Sequence, residues 1–376
     1  MSHRKTAAEL LGEIRSETAQ QLMNSILYEA SPLGSTGLPG LDAHLLSDAS
    51  HRRPSPSSSI NRGDVLEIQG PAASGKTQLL YHLAMRCILP HEIFLTFSGD
   101  SLSHLSKILH TGGWGKGVII MDTDGRWSMQ RLKHLLIKYL EKVYPHDREK
   151  YEPSLENLVS DSFRRVHVFR PTSSLSLAAT LMHLPSYLAE RLPDYEMALL
   201  AIDSVSSFYW IDRYNAEQQQ RSSEKKDKGV INPLSHVLEA IQDLRLKYGQ
   251  VTVLTNWGIL PVLKTSNTQT QGPTQEAANS PFYRQHLHPY PAPFELPPRI
   301  LTNAHLYPPI TYHITLPPLL IPSLTNEISS LENAREANIE REALVNEKET
   351  VGILRIVEGG YTAAFTFRIL DDKIAG

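Results

Sequence analysis

The chain has a single cysteine in 376 residues, which excludes an intramolecular disulfide framework and suits a reducing compartment. That residue, Cys87, falls in a helical stretch and reads as packing rather than chemistry. No apolar run approaches the ~20 residues a membrane span needs. The first residues also lack the apolar segment of a secretory leader. A global basic field is missing too. The formal net charge is -3, so any contact with nucleic acid must come from local patches. Arg52-Arg53 and Lys225-Lys226 are too sparse to serve as a nuclear-import signal. What remains is ordinary globular material, 41% apolar and 20% charged, long enough for one large α/β core with appendages.

Against this background one stretch stands out. Val65, Leu66 and Ile68 form a short apolar run that ends at Gly70. Gly70, Pro71, Ala72, Ala73, Ser74, Gly75, Lys76 and Thr77 then satisfy the eight-residue phosphate-loop pattern at every required position. From Gln78 onward Leu79, Leu80, Leu83, Ala84 and Cys87 recur at helical spacing. Each residue type has a chemical reason. The two glycines let backbone N–H groups turn inward as an anion nest, and the helix N-terminus adds partial positive charge. Lys76 can reach the β- and γ-phosphates, and the Thr77 hydroxyl can ligate Mg²⁺. The strand before and the helix after separate this from a chance glycine turn. The expectation is a nucleoside triphosphate, ATP with Mg²⁺, held by residues 70–78.

A second signal is Met197 to Ser204, an apolar run ending in Asp203. This is the form in which a buried strand delivers a carboxylate to the metal of a phosphate-loop site, so Thr77 and Asp203 are the expected metal residues. Between the two signals, strands are expected at 118–121 and 165–170 and helices at 128–144 and 174–192. Beyond them come a helix over 232–248, opened by Asn232-Pro233, a strand at 251–255 and a strand ending near Leu316. A charged helix over 326–350 and a closing β-hairpin from Val351 to Ile369 finish the chain. Strand–helix alternation of this kind predicts a mainly parallel sheet flanked by helices, with the ligand at the strand C-termini.

Other stretches are less regular. Residues 4–28 read as an amphipathic helix, packed on the core or docking a partner. Residues 47–62 read as a mobile loop, 90–117 as an insertion without a clear period, and 145–162 as a polar connection. Residues 205–213 are aromatic and read as an apolar lid, with a flexible polar stretch after them. Residues 258–300 are too long for an ordinary connection and are either a functional loop or a disordered insertion. His286, His288 and His313 lack the fixed spacing of a metal site and read as solvated. The expected domain plan is an N-terminal helix and linker at 1–34, then a core over 35–376. Insertions in that core are expected at about 90–117, 214–230, 258–300 and 318–350.

The order of pieces resembles the RecA-type recombinase core, and its details resemble the eukaryotic recombinase paralogues. Thr36-Gly37 with Leu41-Asp42, Gly75-Lys76-Thr77-Gln78-Leu79, Asp122-Thr123-Asp124 and Ala201-Ile202-Asp203-Ser204 are similar to successive segments of that core. So is the closing hairpin with Arg355 and Phe365-Thr366-Phe367. The likeness covers residues 31–260 well and 300–376 loosely. Two stretches narrow it within the paralogues: Leu80-Tyr81-His82-Leu83 with Arg86 to Pro90, and Ser207-Phe208-Tyr209-Trp210-Ile211-Asp212-Arg213.

The resemblance implies a role in homologous-recombination repair of double-strand breaks, in the nucleus. It also implies a heteromeric complex with other recombinase paralogues, the D-type foremost, and single-stranded or branched DNA met directly or through partners. It makes Asp124 and Lys76 the catalytic residues, with Asp124 orienting the attacking water. Active recombinases carry Glu at that position, and Asp is one methylene shorter. They also carry Gln after Asn256, where this chain has Trp257, and a small N-terminal helical domain for which there is no room before residue 31. The expectation is ATP binding with at most slow, DNA-dependent hydrolysis, by a subunit that supports filament assembly. The alternative is an autonomous DNA-stimulated ATPase using 205–230 and 258–300 as DNA loops.

Overall fold

A computed structural model describes residues 32–47, 58–97, 106–144, 151–191, 195–222, 233–258, 307–318, 330–347, 349–356, 361–370 and 374–375, with isolated positions at 19, 22, 23, 26 and 283. Its centre is a nine-stranded sheet. Six strands run parallel: β1 (Val65–Gly70), β4 (Gly117–Asp122), β6 (Val166–Phe169), β7 (Met197–Asp203), β8 (Val251–Trp257) and β9 (Tyr312–Thr315). Three antiparallel strands extend one edge: β10 (Thr350–Ile356), β11 (Thr362–Ile369) and β12 (Ile374–Ala375). The order across the sheet is β12-β11-β10-β9-β1-β8-β7-β4-β6. A small second sheet, β3-β2-β5, is built from β2 (Glu92–Phe97), β3 (Ser106–His110) and β5 (Tyr151–Glu152).

The period of two in each strand divides its side chains between two apolar layers. Val118 and Ile120 face the layer that also holds Leu66 and Ile68. Ile119 and Met121 face the other, with Val65 and Leu200. The first layer is closed by α1 (Pro39–Ser47), α2 (Lys76–Ile88), α3 (Met129–Val143) and α4 (Leu155–Phe163). The second is closed by α5 (Ser174–Arg191) and α7 (Pro233–Tyr248). Because both faces are covered, β1, β4 and β7 are buried along their whole length, which is why they read as near-continuous apolar runs. Helices α6 (Tyr209–Ser222) and α8 (Leu331–Glu347) are also among the described residues.

Several expectations change. The irregular stretch 90–117 contains the β2–β3 hairpin, whose period-two pattern spans only five or six residues per strand. Within the connection at 145–162, Ser154 caps α4, its side chain accepting from Asn157 N at 3.4 Å, and Leu158 and Val159 are buried. Of the loop at 47–62, Ser58, Ser59 and Ile60 are buried and tied to Gly34 and Asp42. The aromatic stretch does not form a lid. Val205 and Phe208 are buried, but α6 carries Trp210, Ile211 and Tyr214 exposed and continues into the stretch expected to be flexible. Helix α8 is shorter than 326–350, and Thr350 already belongs to β10.

Of the expected helix over 4–28, positions 19, 22, 23 and 26 are described, and all are helical. His286, His288 and most of 258–300 lie outside the described residues; Tyr283 is buried with its ring against Gly258. Among the described residues no helix is long and apolar enough to cross a membrane.

Candidate nucleotide-binding site

The C-terminal ends of β1, β4, β7 and β8 converge where the loop 71–75 turns into α2. Two residues of that loop have left-handed backbone, Ala73 at φ 60° and Gly75 at φ 95°. Gly75 needs its missing Cβ for a second reason: a Cβ there would lie 2.5 Å from Ile369 Cδ1. Gly70 is equally confined, since its Cβ would meet the Leu316 carbonyl oxygen at 2.4 Å. The chain therefore passes through a cradle that only glycine fits.

At the start of α2, the N–H groups of Gly75, Lys76 and Thr77 meet no acceptor among the described residues. The Ser74 hydroxyl is buried without a partner in the same loop. These donors, with the helix dipole behind them, fit a polyphosphate. Lys76 Nζ folds over the loop and donates to Gly70 O at 2.8 Å and Pro71 O at 2.6 Å.

Thr77 Oγ1 donates to Asp203 Oδ2 at 2.8 Å, and Thr255 Oγ1 holds the other carboxylate oxygen at 2.5 Å. The Thr77 oxygen keeps lone pairs for a cation while its proton serves Asp203, so the pair fits Mg²⁺. Strands β1 and β7 are not neighbours; β8 lies between them, and its Thr255 bridges the gap. Burial raises the Asp203 carboxyl above its usual range, and nearby Asp124 adds to this. The Thr255 and Thr77 hydroxyls and Lys76 pull it back. Asp203 is joined to Ser204 by a cis peptide.

Asp124 follows the end of β4, its N–H donating to Asp203 O at 3.4 Å beside the Thr123 N–H, which donates to the same oxygen at 2.9 Å. The Ser207 hydroxyl donates to Asp124 Oδ1. Asp122, the other acid of that segment, is committed to structure: it accepts from Arg126 N at 2.9 Å and Arg170 Nε at 3.1 Å. Trp257 ends β8 beside Gly70, its N–H donating to Ser206 Oγ at 2.9 Å.

Behind the site runs a buried polar chain. The Ser206 hydroxyl donates to Asn256 Oδ1, and Asn256 Nδ2 to Glu67 Oε1 at 2.9 Å. Glu67 Oε2 meets His313 Nδ1 at 2.9 Å, and His313 Nε2 meets Thr315 Oγ1 at 3.0 Å. His313 is 3% exposed, so the reading of it as a solvated histidine is wrong: its position opposite Glu67 in the β1–β9 register gives it a buried partner.

Chain comparison places this geometry. No family model matches the sequence. The chain is 34% identical to the mouse DNA repair protein XRCC2 over 151 residues, 40% of this chain and 43% of that protein. It is 26% identical to the XRCC2 homolog of Arabidopsis thaliana over 259 residues, 64% of this chain and 62% of that one. The DNA repair and recombination protein RadA of Methanoculleus marisnigri is 28% identical over 201 residues, covering 52% and 51%. These matches support reading the chain as an XRCC2-like RecA-family paralogue. Its matches span about half the length of these curated relatives. The second X-ray repair cross-complementing protein, which Leu80 to Pro90 and Ser207 to Arg213 resemble in sequence, bears the name of the first two of these relatives.

The donors of the phosphate loop and the Thr77–Asp203 pair suit a nucleotide with a divalent metal. The structure brings Lys76, Thr77, Asp203 and Asp124 to one edge of the sheet. Sequence reading missed Thr255, Ser207, Ser206 and the Glu67–His313 pair. Glu67 carried a readable signal, a carboxylate inside a mainly apolar strand; the hydroxyls carried none.

The position of Lys76 has a pH consequence. Burial lowers its pKa from 10.5 to about 8, against the pull of Asp203 and Asp124. Between these values the unfolded chain holds a proton that the folded chain has released, so this group favours folding as pH rises through the window. A polyphosphate beside the ammonium reverses the shift. Nucleotide binding should therefore take up protons at about pH 8.5 and none through this group at about pH 6.5. Calorimetry in buffers of different ionisation heat measures this; no uptake at the higher pH would place Lys76 away from the phosphates.

Proposed function

We propose that the chain is a nucleotide-binding subunit of homologous-recombination repair, using Mg-ATP as an assembly ligand and supporting recombinase filament formation on single-stranded DNA. Its partners are other recombinase paralogues, the D-type foremost, in the nucleus. Residues 70–78 hold the phosphates, Lys76 neutralises them, and Thr77 and Asp203 hold the metal. Asp124 is the water-orienting carboxylate. The exposed Trp210 and Tyr214 on α6, with Arg213 5.9 Å above the Trp210 ring, support contact with unstacked bases or a partner.

The observation that carries this reading is the condition of the hydrolytic residues in an otherwise complete phosphate loop. Asp124 is a short carboxylate already engaged by Ser207, and Trp257 offers an indole where an amide would sense the terminal phosphate. Binding is provided for; water activation is left to one short carboxylate that Ser207 already engages.

The test is turnover by the full chain with and without single-stranded DNA. Tight nucleotide binding with negligible turnover supports the subunit reading, and brisk DNA-stimulated hydrolysis overturns it. Asp124→Glu should raise single-turnover hydrolysis by about tenfold or more, because a carboxylate set back by about 1 Å costs up to about a hundredfold. An unchanged rate would shift the bottleneck to Trp257.

A further inference from the structure

At the far end of α2, away from the phosphate loop, three side chains converge that the sequence does not group. His91 and Glu92 open the hairpin, and His110 closes it 18 positions after Glu92. The antiparallel register sets Glu92 directly opposite His110. His110 Nδ1 lies 3.1 Å from Glu92 Oε1, and the His91 and His110 rings are 6.4 Å apart between centroids. One donor atom from each of the three lies within 4.8 Å of the other two. We propose that His91, Glu92 and His110 form a zinc-type divalent metal site that clasps the base of the β2–β3 hairpin.

The donor set decides the metal class. Two imidazoles and one carboxylate suit Zn²⁺ and disfavour Mg²⁺ and Ca²⁺, which prefer oxygen. A tetrahedral zinc with bonds of about 2.1 Å needs donors about 3.4 Å apart, within reach of small rotations from the observed spacing. Three protein ligands leave the fourth position to water. A plain His110–Glu92 pair would need no third member. A metal makes use of all three.

The scaffold is set before any metal arrives. His91 Nδ1 faces the Gly113 carbonyl at 3.3 Å, the kind of outer contact that orients a ligating ring and leaves Nε2 free to donate. His91 O accepts from Thr111 N at 3.0 Å, and the Thr111 hydroxyl reaches Pro90 O. Gly115 N to Leu89 O at 2.6 Å and Trp114 N to Arg86 O at 2.9 Å fasten the return of the hairpin to the end of α2. Both histidines are exposed and Glu92 is half-buried, so the site is open to solution. The hairpin it would clasp presents Phe94 and Ile108, 61% and 48% exposed and paired across the strands. The metal would hold those two in register.

The experiment uses the full chain, stripped with a chelator and titrated with Zn²⁺ against a chromophoric competitor. A single tight equivalent is expected, with zinc-edge X-ray absorption reporting two imidazoles and oxygen. His91→Ala and His110→Ala should each weaken it by more than about a hundredfold and Glu92→Gln by about tenfold, because even outer contacts of such sites are worth 10–100-fold. His183→Ala on α5 should leave binding unchanged. The absence of a stoichiometric equivalent would overturn the proposal. So would equal zinc affinity in the parent chain and the His91→Ala/His110→Ala double variant. The surface position of both histidines lets circular dichroism confirm that the variants fold. The absorption spectrum of the parent chain decides independently, since any shell without two imidazoles excludes this site.

Discussion

Lys76→Ala is expected to weaken Mg-nucleotide binding by at least about a hundredfold while leaving the unfolding midpoint unchanged or slightly higher. The ammonium makes two hydrogen bonds to main-chain carbonyls, at 2.8 Å and 2.6 Å, in the free chain. Against a polyphosphate it would exchange these for charge-assisted bonds, each contributing roughly 1.5–3 kcal/mol, and about 2.7 kcal/mol already corresponds to a hundredfold in affinity. Stability should not fall, because burial already disfavours the charge and lowers its pKa to about 8. Titration with a fluorescent nucleotide, paired with urea unfolding, separates the two effects. Under the subunit reading, capture of a partner paralogue should decline in step with nucleotide affinity. Unaltered affinity in the variant would remove Lys76 from the phosphate site.

Glu67→Ala is expected to destabilise the chain by about 2–5 kcal/mol, because it leaves two buried polar partners unsatisfied at about 1–3 kcal/mol each. Glu67 is fully buried in β1, between β8 and β9. Its carboxylate accepts from the Asn256 amide and meets His313 on opposite sides, both at 2.9 Å. Removing it strands an imidazole nitrogen and an amide in the middle of the sheet. The Glu67→Leu/His313→Leu double variant should cost much less than either single change, since apolar replacement of both partners leaves fewer orphaned groups. Urea denaturation of the four proteins in that cycle measures the coupling. Additive losses would mean that the pair carries no joint stabilisation. Nucleotide affinity should fall alongside stability in the single variants, because Asn256 also holds the Ser206 hydroxyl behind the site.

Much of the site was legible because phosphate chemistry constrains residues that are adjacent in the chain. The loop 70–77 must combine permissive backbone, an ammonium and a hydroxyl at fixed spacing, so its identity survives without coordinates. Asp203 was legible for a related reason: a strand buried on both faces has to be apolar, and a carboxylate at its end is conspicuous. The short elements were not. β2, β3 and α4 are each nine residues or fewer, too short for a period to emerge, and α4 depends on a single serine cap. The aromatic stretch after Ser204 misled because apolar residues usually mean burial, whereas α6 leaves Trp210 and Ile211 more than half exposed.

The sequence by itself determined the kind of sheet and pointed to the class of ligand proposed for it, since both readings rest on residues that are close along the chain. Tertiary structure alone decided which groups complete the site. Strand β8 sits between β1 and β7 and supplies Thr255 to the Asp203 carboxylate, while Ser207 engages Asp124. It also decided that His313 is a buried partner of Glu67, and that His91, Glu92 and His110 meet at one hairpin base. The physical reason is the same in each case. Hydrogen bonding and coordination act over about 3 Å in space, and only strand order and register bring residues distant in the chain within that reach.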